Sequence, residues 1–492
     1  MSEYEIEASD RVGVQDICGP ADAPALAISQ EDSEALKEAI AASGGGTIKV
    51  VLNADSQVTK DATSHNVWGE IPGKIDETIF VFAHMDGYFH SQYDDAQGLG
   101  VSLAIAKAII DIGYEPEKTI RFCFHGAEEW GASGNEYDWS IGAYEEIATN
   151  HPEWVDGAFA IVNNDGGYVV EGETYMGTRS AVELMSFIKE SIGELNSNSD
   201  YEWSYKKTST YTEDFYWSRL GVPAIVAGSG EGEIYNNTGY HSNYDSWEYQ
   251  PLDETGLKES IKTFGKLVLD LDNCFVRPMD FTARLKDFEE SLNDPKDFET
   301  LFSDAYEAAS AIEEKMASVE ASGNQEAALE LNKHTQEIYI AFQNALLGLD
   351  FESEATIKHE VYQSNIEALE NAIEKLNNGE IQEAFDEYIV DVDWAWYYMN
   401  FDFETCRYLE NQLFENRDDT WGEGLVLYRP CDIGEVVKAL GSKYDTVNAD
   451  VSQEIAKLEE LLSIEQQRLE QVLGDEKKGI ELVINLMNQY AK

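Results

Sequence analysis

The chain has 492 residues, 43% of them hydrophobic, which is enough for two or three domains and at least one large core. Its 95 Asp and Glu against 34 Lys and Arg leave a net charge of −61, which argues against nucleic acid and anionic membranes as partners because like charges repel. No run reaches the roughly 20 apolar residues of a membrane-spanning helix, so no membrane span is expected.

Residues 1 to 62 are short-patterned and contain glycine. Ala25 to Ser29 reads as a strand, Glu31 to Ala42 as a helix stopped by Gly44-Gly45-Gly46, and Thr47 to Leu52 as another strand. From 63 to 278 compact apolar runs alternate with amphipathic stretches. Strands are expected at Ile79–Ala83, Thr119–Phe124, Ala158–Val162 and Pro223–Ala227. Helices are expected at Leu99–Ile112, Val182–Leu195 and Glu254–Leu271. Buried strands alternating with helices predict an α/β three-layer sandwich with a mostly parallel, mixed sheet. From 279 to 492 the pattern is helical, with apolar residues three and four apart over 297–350, 358–378, 380–398 and 447–491, and an all-α bundle is expected.

Five cysteines (Cys18, Cys123, Cys274, Cys406 and Cys431) make no CxxC pair and no zinc-finger spacing. Cys406 and Cys431 could bridge a helical hairpin, but free thiols are the plainer reading. The acidity reads as a solvated surface, with salt adaptation as the sharper alternative. The lysine-rich cation set fits that alternative poorly.

The chemistry concentrates at strand ends in the middle region. Strand 79–83 runs into His84-Met85-Asp86, and Asp94-Asp95-Ala96-Gln97-Gly98 then opens a helix. Strand 119–124 runs into His125-Gly126-Ala127-Glu128-Glu129, and strand 158–162 into Asn163-Asn164-Asp165. Gly239-Tyr240-His241 follows later. Each piece alone is weak, since a histidine after a strand is usually a satisfied polar residue and paired glutamates are usually surface. Together they place two imidazoles and three carboxylates where open α/β sheets build their sites. That is the donor set a pair of zinc ions needs, with one carboxylate between them and a position left for water.

These pieces, in this order, resemble metallopeptidase family twenty-eight, the di-zinc aminopeptidases, which also includes glutamate carboxypeptidases. The resemblance implies a zinc exopeptidase fold and a metal set of His84, Asp94, Glu129, Asp165 and His241. Asp94 would bridge two Zn²⁺, His84 and Asp165 would complete one metal, and Glu129 and His241 the other. It also implies Glu128 as general base, Asp86 orienting His84, and Tyr240 donating to the developing oxyanion. Two zinc ions lower the pKa of a water, and a carboxylate beside it can take its proton and pass it to the leaving amine.

The family's Ser-Asp-His loop is replaced here by Tyr211-Thr212-Glu213-Asp214-Phe215-Tyr216-Trp217. That loop either shapes the substrate pocket or is a plain helix start. His90 and His125 are expected to be structural or pocket-lining, and His65, His151, His334 and His359 ordinary surface or core residues. The aromatics Trp394, Trp396, Tyr397, Tyr398 and Trp421 at helical spacing are expected to be core.

The expected function is an aminopeptidase acting on peptide substrates. A carboxypeptidase or dipeptidase on the same metals is the alternative, with a glutaminyl cyclase and a non-catalytic receptor-like relative behind it. Arginine is scarce in the middle region, which speaks against recognition of a terminal carboxylate. Residues 1–62 resemble the tail of a protease-associated domain, with 63–278 catalytic and 279–492 a helical domain expected to bury an apolar face either against the catalytic domain or against a second chain in a homodimer. The acidic Met1-Ser2-Glu3-Tyr4-Glu5 start lacks the apolar core of a signal peptide. A cytoplasmic protein is expected if the chain starts there, and a secreted or cell-surface one if it is truncated.

Overall fold

The computed structural model describes residues 10–13, 26–53, 55, 63–129, 140–210, 212–228, 234–350, 355–415 and 425–492. The chain divides into two compact units, which separate between Pro278 and Met279.

The first unit is built on a seven-stranded sheet of order β1-β3-β2-β4-β7-β5-β6. Its strands are β1 (Val67–Ile71), β2 (Thr78–His84), β3 (Thr119–His125), β4 (Ala158–Asn163), β5 (Tyr175–Ser180), β6 (Glu202–Lys207) and β7 (Ala224–Gly228). The β2–β3, β2–β4, β4–β7 and β5–β6 pairs are parallel, whereas β1–β3 and β5–β7 are antiparallel. The central strands are buried on both faces, which explains their continuous apolar runs: every residue from Ile79 to Ala83 and from Phe159 to Val162 is fully buried. The helices are α1 (Gln30–Ala42), α2 (Ala96–Asp111), α3 (Ile141–Glu145), α4 (Met185–Ser197), α5 (Asp214–Arg219), α6 (Ile234–Thr238) and α7 (Glu254–Asn273). On one face Phe80 packs tilted and Phe82 edge-on against Trp217 of α5, with ring centroids 4.8 and 5.1 Å apart. Side chains alternate along a strand, so Ile79 and Val81 face the other layer, where α2 and α7 bury Ile105, Leu267 and Val268.

Two sequence expectations fail. Residues 26–29 and 47–52 belong to no strand, although α1 between them forms as expected. Val50, Val51 and Leu52 are exposed, and without a neighbouring strand to complete a ladder an apolar run is not a strand. Ala25 lies outside the described residues. Strands β1, β5 and β6 carry little apolar signal and were not expected.

The second unit is helical: α8 (Phe281–Ser291), α9 (Glu299–Ser322), α10 (Gln325–Leu346), α11 (Glu360–Asn377), α12 (Ile381–Glu387), α13 (Ala395–Asn400), α14 (Phe403–Glu415), α15 (Gly434–Lys443) and α16 (Ser452–Tyr490). A short hairpin of β8 (Leu347–Leu349) and β9 (Ala355–Ile357) interrupts it. The 39-residue α16 packs against α9, α10, α11 and α15 and is the spine of the bundle. Its stripe Leu458, Leu461, Val472, Ile480, Val483 and Met487 is buried. Trp394 and Tyr398 are core, while Trp396 is 38% exposed. Trp421 and Cys18 lie outside the described residues. Cys406 and Cys431 are both free thiols, so the bridge weighed for them does not form. Among the described residues no helix is long and apolar enough to cross a membrane.

Candidate metal centre

The carboxyl ends of β2, β3 and β4 lie side by side, and each delivers a polar residue as its strand stops. His84 ends β2, Glu128 and Glu129 follow β3, and Asp165 follows β4. Asp94 and Asp95 precede α2, and His241 comes three residues after α6. Ala127 and His241 have φ of 60° and 45°. Such left-handed kinks in non-glycine residues are uncommon and cluster at functional sites. At Ala127 the kink turns the chain just before Glu128.

Six of the expected residues meet here, all buried: His84, Asp94, Glu128, Glu129, Asp165 and His241. The two oxygens of Asp94 face different histidines. Oδ1 is 3.1 Å from His84 Nε2, and Oδ2 is 3.2 Å from His241 Nε2. His84 Nε2 lies 3.9 Å from Asp165 Oδ1 and 3.9 Å from Glu128 Oε2. His241 Nε2 lies 3.1 Å from Glu129 Oε2. Asp94 therefore stands between two clusters, one with His84 and Asp165, the other with His241 and Glu129.

Other groupings are geometrically open. His84, Asp94 and Glu129 approach closely enough to share an ion, as do His84, Asp95 and Asp165. Asp95 is otherwise engaged. Its Oδ2 accepts the His84 backbone N–H at 3.1 Å, and its Oδ1 caps α2 through the Gly98 N–H at 3.0 Å. It anchors the end of β2 to the start of α2.

Asp86 faces both His84 and the Glu128-Glu129 turn. The nearest acceptor to His84 Nδ1 is the Asp86 carbonyl at 3.1 Å, and the Asp86 carboxylate is farther, at 3.6 Å. That carboxylate also accepts the backbone N–H groups of Glu128 at 3.0 Å and Glu129 at 3.3 Å. Asp86 thus ties the His84 loop to the Glu128-Glu129 turn. Tyr240 lies with its ring stacked on His241, centroids 3.7 Å apart.

Three participants were not anticipated. Ser140 Oγ donates to Glu128 Oε1 at 2.8 Å and holds one oxygen of that carboxylate. The Tyr168 hydroxyl lies 2.8 Å from Asp94 Oδ1 and 2.9 Å from Asp165 Oδ1. It follows Gly166 and Gly167, both at positive φ, and that paired-glycine turn was the available signal. Tyr88 donates to the Glu129 carbonyl at 3.2 Å and packs edge-on to His241.

In the 211–217 loop, Glu213 and Asp214 turn inward, and α5 begins at Asp214. Asn163 donates to Glu213 Oε2 at 2.6 Å, and its own Oδ1 accepts the Asp165 N–H at 3.1 Å. The loop supports Asp165 from beneath; Tyr211 lies outside the described residues. His125 is fully buried, edge-on to Phe82 and 3.7 Å from Glu213, and is structural. His90 is exposed.

Burial dominates the electrostatics. It lifts Glu128 and Asp165 well above the usual carboxylate range, and neighbouring carboxylates add to the shift. Asp94 is held below that range because hydrogen bonds to His241 and His84 outweigh its burial. For His241 the same pairing with Asp94 and Glu129 overcomes burial and pushes its pKa up to about 9. Among the described residues, every ion pair made by Asp94, Glu128, Glu129 and Asp165 is to a histidine. Both oxygens of Glu129 are buried without a well-aligned donor. Buried carboxylates in this excess need positive charge, and imidazole with carboxylate is the ligand chemistry of zinc. The residues present fit such ions.

Residues 66–268 match the profile of Peptidase family M28. Mouse carboxypeptidase Q is 24% identical over 226 residues, covering 45% of this chain and 44% of that protein. Probable leucine aminopeptidase 2 of Aspergillus fumigatus is 33% identical over 118 residues, covering 23% and 22%. The chain therefore matches less than half the length of these relatives. Among solved structures, a peptidase M28 precursor from Shewanella amazonensis superposes with a TM-score of 0.40 at 19% identity, covering 54% of this chain and 57% of that one. An aminopeptidase from an Aneurinibacillus species gives 0.34 at 18%, covering 51% and 58%. All the clustered donors, from His84 to His241, fall inside residues 66–268, the segment that matches Peptidase family M28.

Proposed function

We propose that this chain is a two-zinc exopeptidase that removes residues from the amino end of peptides. The observation that carries the reading is the division of Asp94 between two imidazole–carboxylate clusters, His84 with Asp165 and His241 with Glu129. Those five residues would hold the ions. When bound, zinc supplies an activated water and polarises the scissile carbonyl.

The chain's own residues do the rest. Glu128 is the general base. Ser140 holds its Oε1, which leaves Oε2 to take the proton of the attacking water and return it to the leaving amine. Its raised proton affinity suits a group that must both accept and release a proton near neutral pH. Asp86 fixes the turn that presents Glu128 and Glu129. The Tyr240 phenol is assigned to the developing oxyanion.

The choice of the amino end follows from charge. Recognition of a terminal carboxylate takes a cation, and among the described residues every ion pair of these carboxylates is to a histidine, while Arg121 is held by Glu70 and Arg179 donates to Ser209. The second reading, a carboxypeptidase, has the name of the mouse relative in its favour. The test is a panel of aminoacyl anilides against N-acetylated anilides and N-blocked dipeptides, with zinc-loaded protein. Cleavage of the free-amine substrates, abolished by acetylation, is expected. Release of C-terminal residues from N-blocked dipeptides would overturn the aminopeptidase reading.

A further inference from the structure

His241 reaches the metal centre from a loop rather than from a strand end. It follows α6 and holds a φ of 45°. A left-handed histidine is strained, and such a conformation persists only where its surroundings over-determine it. The loop supplies part of that restraint itself, through the Ser242 N–H and Oγ, which donate to the Gly239 carbonyl at 3.1 and 2.6 Å.

A second restraint comes from the other end of the first unit's sequence. Residues 10–13 lie as a strap across this loop, from partners 226 to 234 positions away. The Arg11 guanidinium donates through Nη1 to the Asn237 carbonyl at 3.0 Å, in the turn of α6 that leads to His241. The Val12 N–H donates to Asn243 Oδ1 at 2.8 Å, and the Asn243 N–H returns a bond to the Val12 carbonyl at 3.2 Å. Gly13 forms a β-bridge with Ser242, and a Cβ at Gly13 would stand 3.8 Å from the His241 carbonyl oxygen. Tyr244 donates its hydroxyl to Asp10. The strap therefore grips the loop on both sides of His241, at residue 237 before it and at residues 242 to 244 after it. Arg11 is 3% exposed, its Nε is buried without an acceptor, and among the described residues it makes no ion pair. An apolar side chain would pack there without that cost. What the guanidinium adds is its hold on the α6 carbonyl, and burial fixes its rotamer, so the tether is stiff.

We infer that residues 10–13 position His241, with Arg11 as the positioning residue, and so set the affinity of the ion held by His241 and Glu129. The inference rests on the two-ion reading of the centre. His84 and Asp165, at the ends of β2 and β4, stand outside every contact just named, so the ion they hold is not governed by the strap.

The test is zinc titration of the full chain in two backgrounds. His84→Ala leaves the His241–Glu129 ion to be measured alone, and His241→Ala leaves the His84–Asp165 ion. In the His84→Ala background, Arg11→Met is expected to weaken zinc binding about 10–100-fold, the usual effect of losing a group that orients a ligand. Arg11→Lys, which can donate to the same carbonyl, should restore most of it. In the His241→Ala background Arg11→Met should change nothing. Unchanged affinity in the first background, or an equal loss in both, overturns the inference, since a merely structural strap would act on both ions alike. If zinc binds in neither background, the two-ion reading falls, and amide exchange in the zinc-free chain still decides the strap. Exchange over residues 238–245 should quicken in Arg11→Met and recover in Arg11→Lys, while β2 keeps its protection; equal exchange in all three overturns it. Circular dichroism of each variant shows that a weakened ion is not a lost fold.

Discussion

Glu128 and Glu129 are chemically identical neighbours with different surroundings, and the difference is testable. Glu128 faces Ser140 and His84, whereas Glu129 faces His241. Glu128→Gln keeps the shape and the Ser140 contact but cannot carry a proton back and forth. It should keep its metals and lose about 10²–10⁴ in kcat, the usual contribution of a general acid–base. Glu129→Gln should instead weaken one zinc, with activity that responds to added metal. A Glu128→Gln protein short of zinc, or one of normal turnover, contradicts the assignment. At this scale the donor residues were legible because each stands at or near a strand end in a recognisable order. Ser140 was not, because it is 12 residues from Glu128 in sequence and nothing local marks it. The tie from Asp86 to Glu128 and Glu129 was not legible either, because 42 and 43 residues separate them and only the fold brings them together.

Elements were legible where burial is two-sided. Strands β2, β3, β4 and β7 are compact apolar runs because helices cover both faces. β1 and β6 are edge strands of the sheet with mostly exposed or half-buried residues, and β5 is rich in polar residues. Periodicity has little to act on there. The link between β2 and α2 carries its own prediction. Asp95 accepts from both His84 N–H and Gly98 N–H, so Asp95→Asn sets an amide N–H₂ against one of two buried donors. The cost is about 1–3 kcal/mol for an unsatisfied buried group, which lowers the unfolding temperature by several degrees. Zinc content at saturation should not change. Loss of a zinc with unchanged thermal stability would make Asp95 a ligand rather than an anchor.

At the scale of the whole molecule, the helical unit has a pH dependence of predictable sign. His359 is buried, with Nδ1 2.9 Å from Glu476 Oε2 and Nε2 3.2 Å from the Ser291 carbonyl. Both ring nitrogens face acceptors, so the charged imidazolium is favoured. Burial lowers its proton affinity, but Glu476 more than offsets this and the pKa ends above 6.5. Burial, with help from Glu465, pushes Asp393 up to about 7. Both folded-state values are raised, so each contribution is present below the unfolded value and is lost as pH rises through the folded one. Asp393 acts from about pH 4 to 7, and His359 from about pH 6.5 upward. Calorimetry of the full chain should show the helical unit unfolding at lower temperature at pH 9 than at pH 6. His359→Gln and Asp393→Asn should flatten that trend, and a transition that rises with pH would refute it. The central claim, two metals sharing Asp94, is tested most directly by an anomalous difference map collected at the zinc edge from crystals of zinc-loaded protein. The account predicts two peaks flanking the Asp94 carboxylate, one bounded by His84 and Asp165 and the other by Glu129 and His241; a single peak there, or none, would contradict it.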